Sequence, residues 1–239
     1  MWKIICVTRQ IIRRRFCLLC GEASLTKGSV VADAGSGTGI CTELLLKSGA
    51  AVSAIKRNPE IRHAAERLLS GQSGFCSVAG SAQATTLAGH SVDLIVAARA
   101  FHWFNEPATR TKFKCIQKPG GHPALIWNER RIDTTPFLRA YEKLLTQYAG
   151  DYATLRHKNT GLESLTNFFT RPFLTHVFFN EQQFDYGSLE GRLLSSSCSP
   201  AEGQPGHHPM IANLRRIFEA WQEDGLVEMQ SETKVHLGR

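Results

Sequence analysis

Residues 30–39 read Val-Val-Ala-Asp-Ala-Gly-Ser-Gly-Thr-Gly, and no other ten residues of the chain limit its fold as tightly. A short β-branched run meets an acidic residue, Asp33, and Gly35, Gly37 and Gly39 follow at alternate positions. This is the pattern of a buried strand that ends in a tight turn and opens a helix. A residue without a Cβ lets backbone approach a ligand closely. Ile40 to Lys47 then has helical spacing, in which Ile40, Leu44 and Leu45 share one face. In an open α/β sheet such a turn lies at the carboxyl end of its strand, where nucleotide-like ligands bind. A turn that only closes on its own helix has the same composition, so the glycines alone name no ligand.

Their spacing narrows the choice. A phosphate-binding P-loop needs Lys-Ser/Thr after its last glycine, and Ile40 stands there instead. A dinucleotide turn needs Gly-x-Gly-x-x-Gly, which from Gly35 would place its third glycine at position 40. Downstream, strands and helices alternate. Ala51 to Ile55 reads as a second strand after a helix capped near Gly49. Asn58 then caps a helix whose first residue is Pro59, with Ile61, Ala64, Ala65, Leu68 and Leu69 inward. Phe75–Ala79 is a third strand, and Ser91–Ala98 is a near-continuous apolar fourth, as expected for a strand covered on both faces. Lys118-Pro119-Gly120-Gly121 reads as a turn before a fifth strand, Pro123–Asn128. The alternation predicts a doubly wound, mostly parallel α/β sheet with helices on both faces.

The observed Asp33-x-Gly35-x-Gly37-x-Gly39 resembles motif I of the class I S-adenosylmethionine-dependent methyltransferases. Further pieces agree in order: Asn58-Pro59-Glu60 after the second strand; Gly80-Ser81-Ala82-Gln83-Ala84, which looks like the loop flanking the adenine; Ser91 to Ile95 followed by Ala100-Phe101-His102-Trp103-Phe104; and Trp127-Asn128-Glu129-Arg130. Phe-His-Trp-Phe and Trp-Asn-Glu-Arg together resemble the small-molecule, type 11 subgroup, over about positions 28–237. The resemblance implies a Rossmann-like sheet of seven strands with an antiparallel C-terminal edge strand, and S-adenosyl-L-methionine as cofactor. It implies cofactor contacts at Asp33, Gly35, Ser36, Gly37, Gly39, Lys56, Ser81, Ala82 and Ala98. Phe101, Trp103, Asn128 and Arg130 are implied at the substrate, and His102 as a catalytic base or polar contact. The acceptor implied is a small molecule methylated at O, N or a carboxylate.

Two departures qualify this expectation. The second strand of such enzymes ends in an acid that binds the ribose hydroxyls, through charge-assisted hydrogen bonds worth roughly 1.5–3 kcal/mol. Lys56 holds that position and has donors only. It predicts weakened cofactor affinity, and with Arg99 an unusually positive crevice. Similar enzymes also carry a Tyr/Pro-rich segment and a covering helix ahead of the turn, whereas residues 1–27 read differently. Less cover over the methyl group predicts poorer alignment of the acceptor. A methyltransferase fold retained as a binding or scaffold module is the alternative reading. A nicotinamide-dependent oxidoreductase is disfavoured by the glycine spacing and by the missing acid.

At 239 residues, with a net charge of +7, the chain has room for one full α/β domain. We expect a methyltransferase domain over 28–239 with a substrate-cap insertion around 136–190. Lys and Arg are scattered, and the densest run is Arg13-Arg14-Arg15, so no nucleic-acid partner is expected. Seven cysteines at irregular spacing suggest reduced thiols and a cytoplasmic setting. Cys17 and Cys20 have zinc-ligand spacing without a second pair, so no metal is expected. The acid-free start is a faint transit-peptide signal. No apolar run approaches the ~20 residues of a membrane span. Thr135 and Pro136 should open a helix to Tyr148 whose stripe is Phe137, Leu138, Tyr141, Leu144 and Leu145. Thr175–Phe179 reads as a strand, Leu189–Ser197 and Met210–Trp221 as helices, and Val227–Val235 as the final edge strand, with His207 and His208 in a solvated loop between.

Overall fold

The computed structural model describes residues 25–150, 152, 161–196 and 198–238. Arg13–Arg15, Cys17 and Cys20 lie outside them. Seven strands form one sheet: β1 (Val30–Ala34), β2 (Ala51–Lys56), β3 (Phe75–Ala79), β4 (Val92–Ala98), β5 (Gln117–Arg130), β6 (Phe173–Phe184) and β7 (Val227–Gly238). Their order across the sheet is β3-β2-β1-β4-β5-β7-β6. β1 pairs in parallel with β2 and β4, β2 with β3, and β4 with β5. The mixed α/β sheet with antiparallel C-terminal strands is the expected class. One detail is corrected: β7 lies between β5 and β6, and β6 takes the edge. β5 is also longer than expected. Residues 117–121 join it, across a register break between the pairs Val92–Gln117 and Leu94–His122.

The described chain divides into two compact units. One comprises residues 25–127, 161–177 and 234–238. It holds β1–β4, α1 (Ile40–Lys47), α2 (Pro59–Leu69), α3 (Glu106–Ile116) and α5 (Leu162–Phe169); α4 (Pro136–Tyr148) belongs to the other. The caps follow the sequence. Asn58 Oδ1 accepts from the Ile61 amide at 3.0 Å, and Gly49, at φ 91°, ends α1 with its amide on the Leu46 carbonyl. Strand alternation sends Ala32, Ala34, Ile95 and Ala97 into a core with Phe101, Phe113, Trp127 and Phe168. Asp33 therefore points to the opposite face, toward α1. Two residues of the expected apolar faces are exposed, Ile40 at 50% and Leu68 at 61%. In α1 Thr42 turns inward instead, and in α2 the expected Ala65 and Leu69 are buried.

The other unit comprises residues 128–150, 152, 178–196 and 198–233. Thr135 caps α4 by accepting from the Leu138 amide at 3.1 Å. The expected stripe, Phe137, Leu138, Tyr141, Leu144 and Leu145, is buried throughout. It packs against α6 (Tyr186–Leu194) and α7 (His207–Trp221) through Leu189, Leu193, Met210 and Leu214. α6 starts three residues before the expected Leu189, because Asp185 caps it through the Ser188 amide at 2.7 Å. α7 starts at His207, so the histidine pair belongs to a helix and not to a loop.

Candidate functional site

The winding of the sheet places the site. After β3 the chain crosses from β1's one side to its other, so β1 and β4 flank the reversal point of the strand order. Parallel strands splay their connections there, which opens a crevice at their carboxyl ends. Two connections leave at that crevice: the turn Gly35–Gly39 after β1, and the segment Arg99–Phe104 after β4, with a short 3-10 helix at Phe101–Trp103. They touch. A Cβ on Gly35 would lie 2.6 Å from the Ala100 Cβ and 3.6 Å from the Phe104 ring.

All three glycines have left-handed backbone, with φ of 77°, 58° and 89° at Gly35, Gly37 and Gly39. Their surroundings differ. A Cβ on Gly39 would meet Leu69 Cδ1 at 2.6 Å, whereas one on Gly37 would meet nothing within 4 Å among the described residues. Gly35 and Gly39 thus close the turn onto the protein, and Gly37 faces open space. The Gly35 and Ser36 amides both donate to the Ile55 carbonyl, at 3.0 and 3.2 Å. The Gly37 and Thr38 amides take no backbone partner among the described residues. α1 begins directly after them with no side-chain cap, so its positive end also lies at the turn.

Asp33 lies beneath the turn and is fully buried. Thr42 Oγ1 donates to its Oδ2 at 2.6 Å, while Oδ1 is buried without a partner among the described residues. Burial pushes its carboxyl up to about 6; the Thr42 hydroxyl and then the Thr42 amide act the other way. The Asp33 side chain, expected among the cofactor contacts, thus lies buried beneath the turn. Thr42, which donates to it, has no motif signature; a lone threonine in an apolar stripe is its only trace in the sequence. Ser36 is also nearly buried, with its Oγ on the Ile55 carbonyl at 3.5 Å.

Lys56 ends β2, half-buried, with no ion-pair partner among the described residues; its carbonyl accepts from Arg62 Nη1 at 3.4 Å. Ser81 and Ala84 close a tight turn by reciprocal amide–carbonyl bonds of 3.3 and 3.1 Å, and Ala82 drops into the core at 2% exposure. Ala98 is half-buried at the end of β4. Phe101, expected at the substrate, is a core residue: its ring lies edge-on to Trp127 and Phe168, at 5.7 and 4.7 Å. Trp103 is the opposite case, 77% exposed. The His102 ring lies 4.9 Å from that of Trp103. Partial loss of solvent, then the Arg99 guanidinium, push the His102 imidazole below its ordinary value.

In the other unit, Asn128 Oδ1 accepts from Thr233 Oγ1 at 2.7 Å. Arg130 Nη2 pairs with Glu142 and donates to the Tyr152 hydroxyl at 2.7 Å, and its guanidinium carbon stands 5.0 Å from the Tyr141 ring centroid. Both expected substrate residues are thus already engaged by protein partners, and Arg130 is no exposed surface ion pair. Among the described residues no cluster could hold a metal, four cysteines are free, and no helix is long and apolar enough to cross a membrane.

Known proteins agree with this geometry. Residues 32–125 match the family described as a methyltransferase domain. An uncharacterized methyltransferase-like protein of Schizosaccharomyces pombe is 33% identical over 135 residues, 54% of this chain and 50% of that one. An uncharacterized methyltransferase of Mycobacterium tuberculosis is 31% identical over 100 residues, 42% of this chain and 40% of its own. The chain thus spans half or less of the length of these curated relatives. The solved structure of a proposed type II methyltransferase from Anaeromyxobacter dehalogenans has a TM-score of 0.70 over 95% of each chain at 20% identity, a likeness of fold. Sheet order and structural likeness thus give the chain a Rossmann-like methyltransferase fold, and residues 32–125 within it match a methyltransferase domain.

Proposed function

We propose that the chain binds S-adenosyl-L-methionine over the turn Gly35–Gly39 and transfers its methyl group to a small-molecule acceptor at O, N or a carboxylate. The observation that carries this reading is Gly37: a left-handed residue open to space among the described residues, where the Gly37 and Thr38 amides also take no backbone partner, at the β1/β4 crevice. The residues fit the group at the turn, where backbone donors and a helix N-terminus suit the carboxylate of an amino-acid moiety. They fit less well at the end of β2, where Lys56 offers a diol no acceptor. Ser81, Ala82 and Ala98 would border the base. The cofactor supplies an activated methyl group, and the protein supplies orientation and exclusion of water. The turn holds one reactant in place, and the Arg99–Phe104 segment walls the same crevice and can position the other. His102, held toward its neutral form, can accept a proton from an acceptor hydroxyl or amine.

Calorimetric titration with S-adenosylhomocysteine tests the reading. Saturable binding, tightened by Lys56→Glu, supports it; no heat from either protein refutes it. The second reading, a methyltransferase fold acting as a binding or scaffold module, has Lys56 in its favour. It predicts that neither protein releases methyl from S-adenosyl-L-methionine to any small acceptor. The setting we propose is cytoplasmic, with neither nucleic acid nor membrane as partner.

A further inference from the structure

The segment after β4 combines three features that the glycine turn does not explain. Trp103 is 77% exposed, although the aromatic two residues before it is in the core. Arg99 has left-handed backbone at φ 53°. That conformation is unfavourable for a residue with a Cβ, and such residues gather at functional sites. Arg99 is exposed and has no carboxylate partner among the described residues. His102 lies against the indole and senses the Arg99 charge, so the three side chains form one group. No acid occurs between Ala97 and Phe104.

We infer that the methyl acceptor is a planar anion, an aryl or conjugated carboxylate, which stacks on Trp103 and places its charge at Arg99. This rests on the methyltransferase reading and deepens it. An exposed indole face attracts flat apolar rings and also cations. The Arg99 guanidinium, which acts on the His102 ring that lies against the indole, separates these two classes: it repels an ammonium and pairs with a carboxylate in a planar, two-pronged geometry. Neutral His102 adds a hydrogen bond without adding charge. Lys56, at the end of β2, extends the positive rim of the same sheet end. Ala100 links the group to the cofactor turn, because it is the residue that touches Gly35.

The test uses ring-matched probes: cinnamate against cinnamylamine, and indole-3-acetate against tryptamine. Binding to the full chain is followed by saturation-transfer NMR and calorimetry, with and without S-adenosylhomocysteine. Each carboxylate should bind at least about tenfold tighter than its amine, the scale of one charge-assisted hydrogen bond. Trp103→Leu should abolish the carboxylate signal. Arg99→Gly should weaken it about tenfold by removing the same charge-assisted bond, and glycine tolerates this backbone, so loss of fold does not confuse the result. Equal or tighter amine binding, or carboxylate binding unchanged in both variants, overturns the inference. The S-adenosylhomocysteine titration scores the parent reading separately. Carboxylate binding without nucleoside binding upholds the acceptor site and refutes the transferase; nucleoside binding with no preference for carboxylates does the reverse.

Discussion

Replacing Asp33 by Asn isolates the buried charge beneath the glycine turn. The carboxyl titrates at about 6 in the folded protein against an ordinary 3.8. Its folded value is raised, so the native state holds the proton more tightly than the unfolded chain does. Stability from this group is therefore present below pH 3.8 and is lost as pH rises through 6. The full difference is about 3 kcal/mol at about 1.4 kcal/mol per unit. Between pH 4.5 and 7.5 the recoverable part is about 2 kcal/mol. Asn keeps an oxygen for the Thr42 hydroxyl and removes the titration. Urea unfolding of both proteins across this range gives the difference in stability, and other titrating groups cancel in it. The wild type should lose about 2 kcal/mol relative to Asp33→Asn on going from pH 4.5 to 7.5. A flat difference, or one of opposite sign, would refute the reasoning: Asp33 would then be solvated or paired in the folded state.

Other perturbations give distinct outcomes. Gly39→Ala should destabilise the fold by about 1–3 kcal/mol in urea, since its methyl would overlap Leu69 on a left-handed backbone. Phe101→Ala should cost about 3–5 kcal/mol, and Trp103→Ala less than about 0.5, because only the first ring is in the core. Glu142→Gln should cost about 3 kcal/mol by leaving the part-buried Arg130 without its carboxylate. The His102 titration, followed by NMR, should lie below the ordinary histidine value and move upward in Arg99→Gln.

What was legible in the sequence is what local chemistry writes there. Caps at Asn58 and Thr135, the doubly covered strand β4, and the stripe of α4 all follow from hydrogen-bonding and burial rules acting over a few residues. The glycine turn was legible because three left-handed positions in five residues leave few alternatives. Strand order at the far edge was not. Whether β7 ends the sheet or lies inside it depends on pairing between distant residues such as Asn128 and Thr233, which no local pattern encodes. Depth was also hidden. Phe101 and Trp103 are equally aromatic in a row of four residues, but the 3-10 turn sends one into the core and leaves the other in water. The same holds for Arg130, whose engagement by Glu142 and Tyr152 brings together residues 12 and 22 positions away.

The central claim is that Gly37 leaves room for a nucleoside-linked amino acid at the β1/β4 crevice. Titration of S-adenosylhomocysteine into the wild type and into Gly37→Ala tests it most directly. A methyl there meets nothing within 4 Å among the described residues, so the variant should stay folded with a loss of about 1 kcal/mol from its backbone alone. The account predicts saturable binding to the wild type and affinity at least about tenfold weaker in the variant, the scale of one displaced backbone contact. Equal affinity in the two proteins, or none in either, would contradict it.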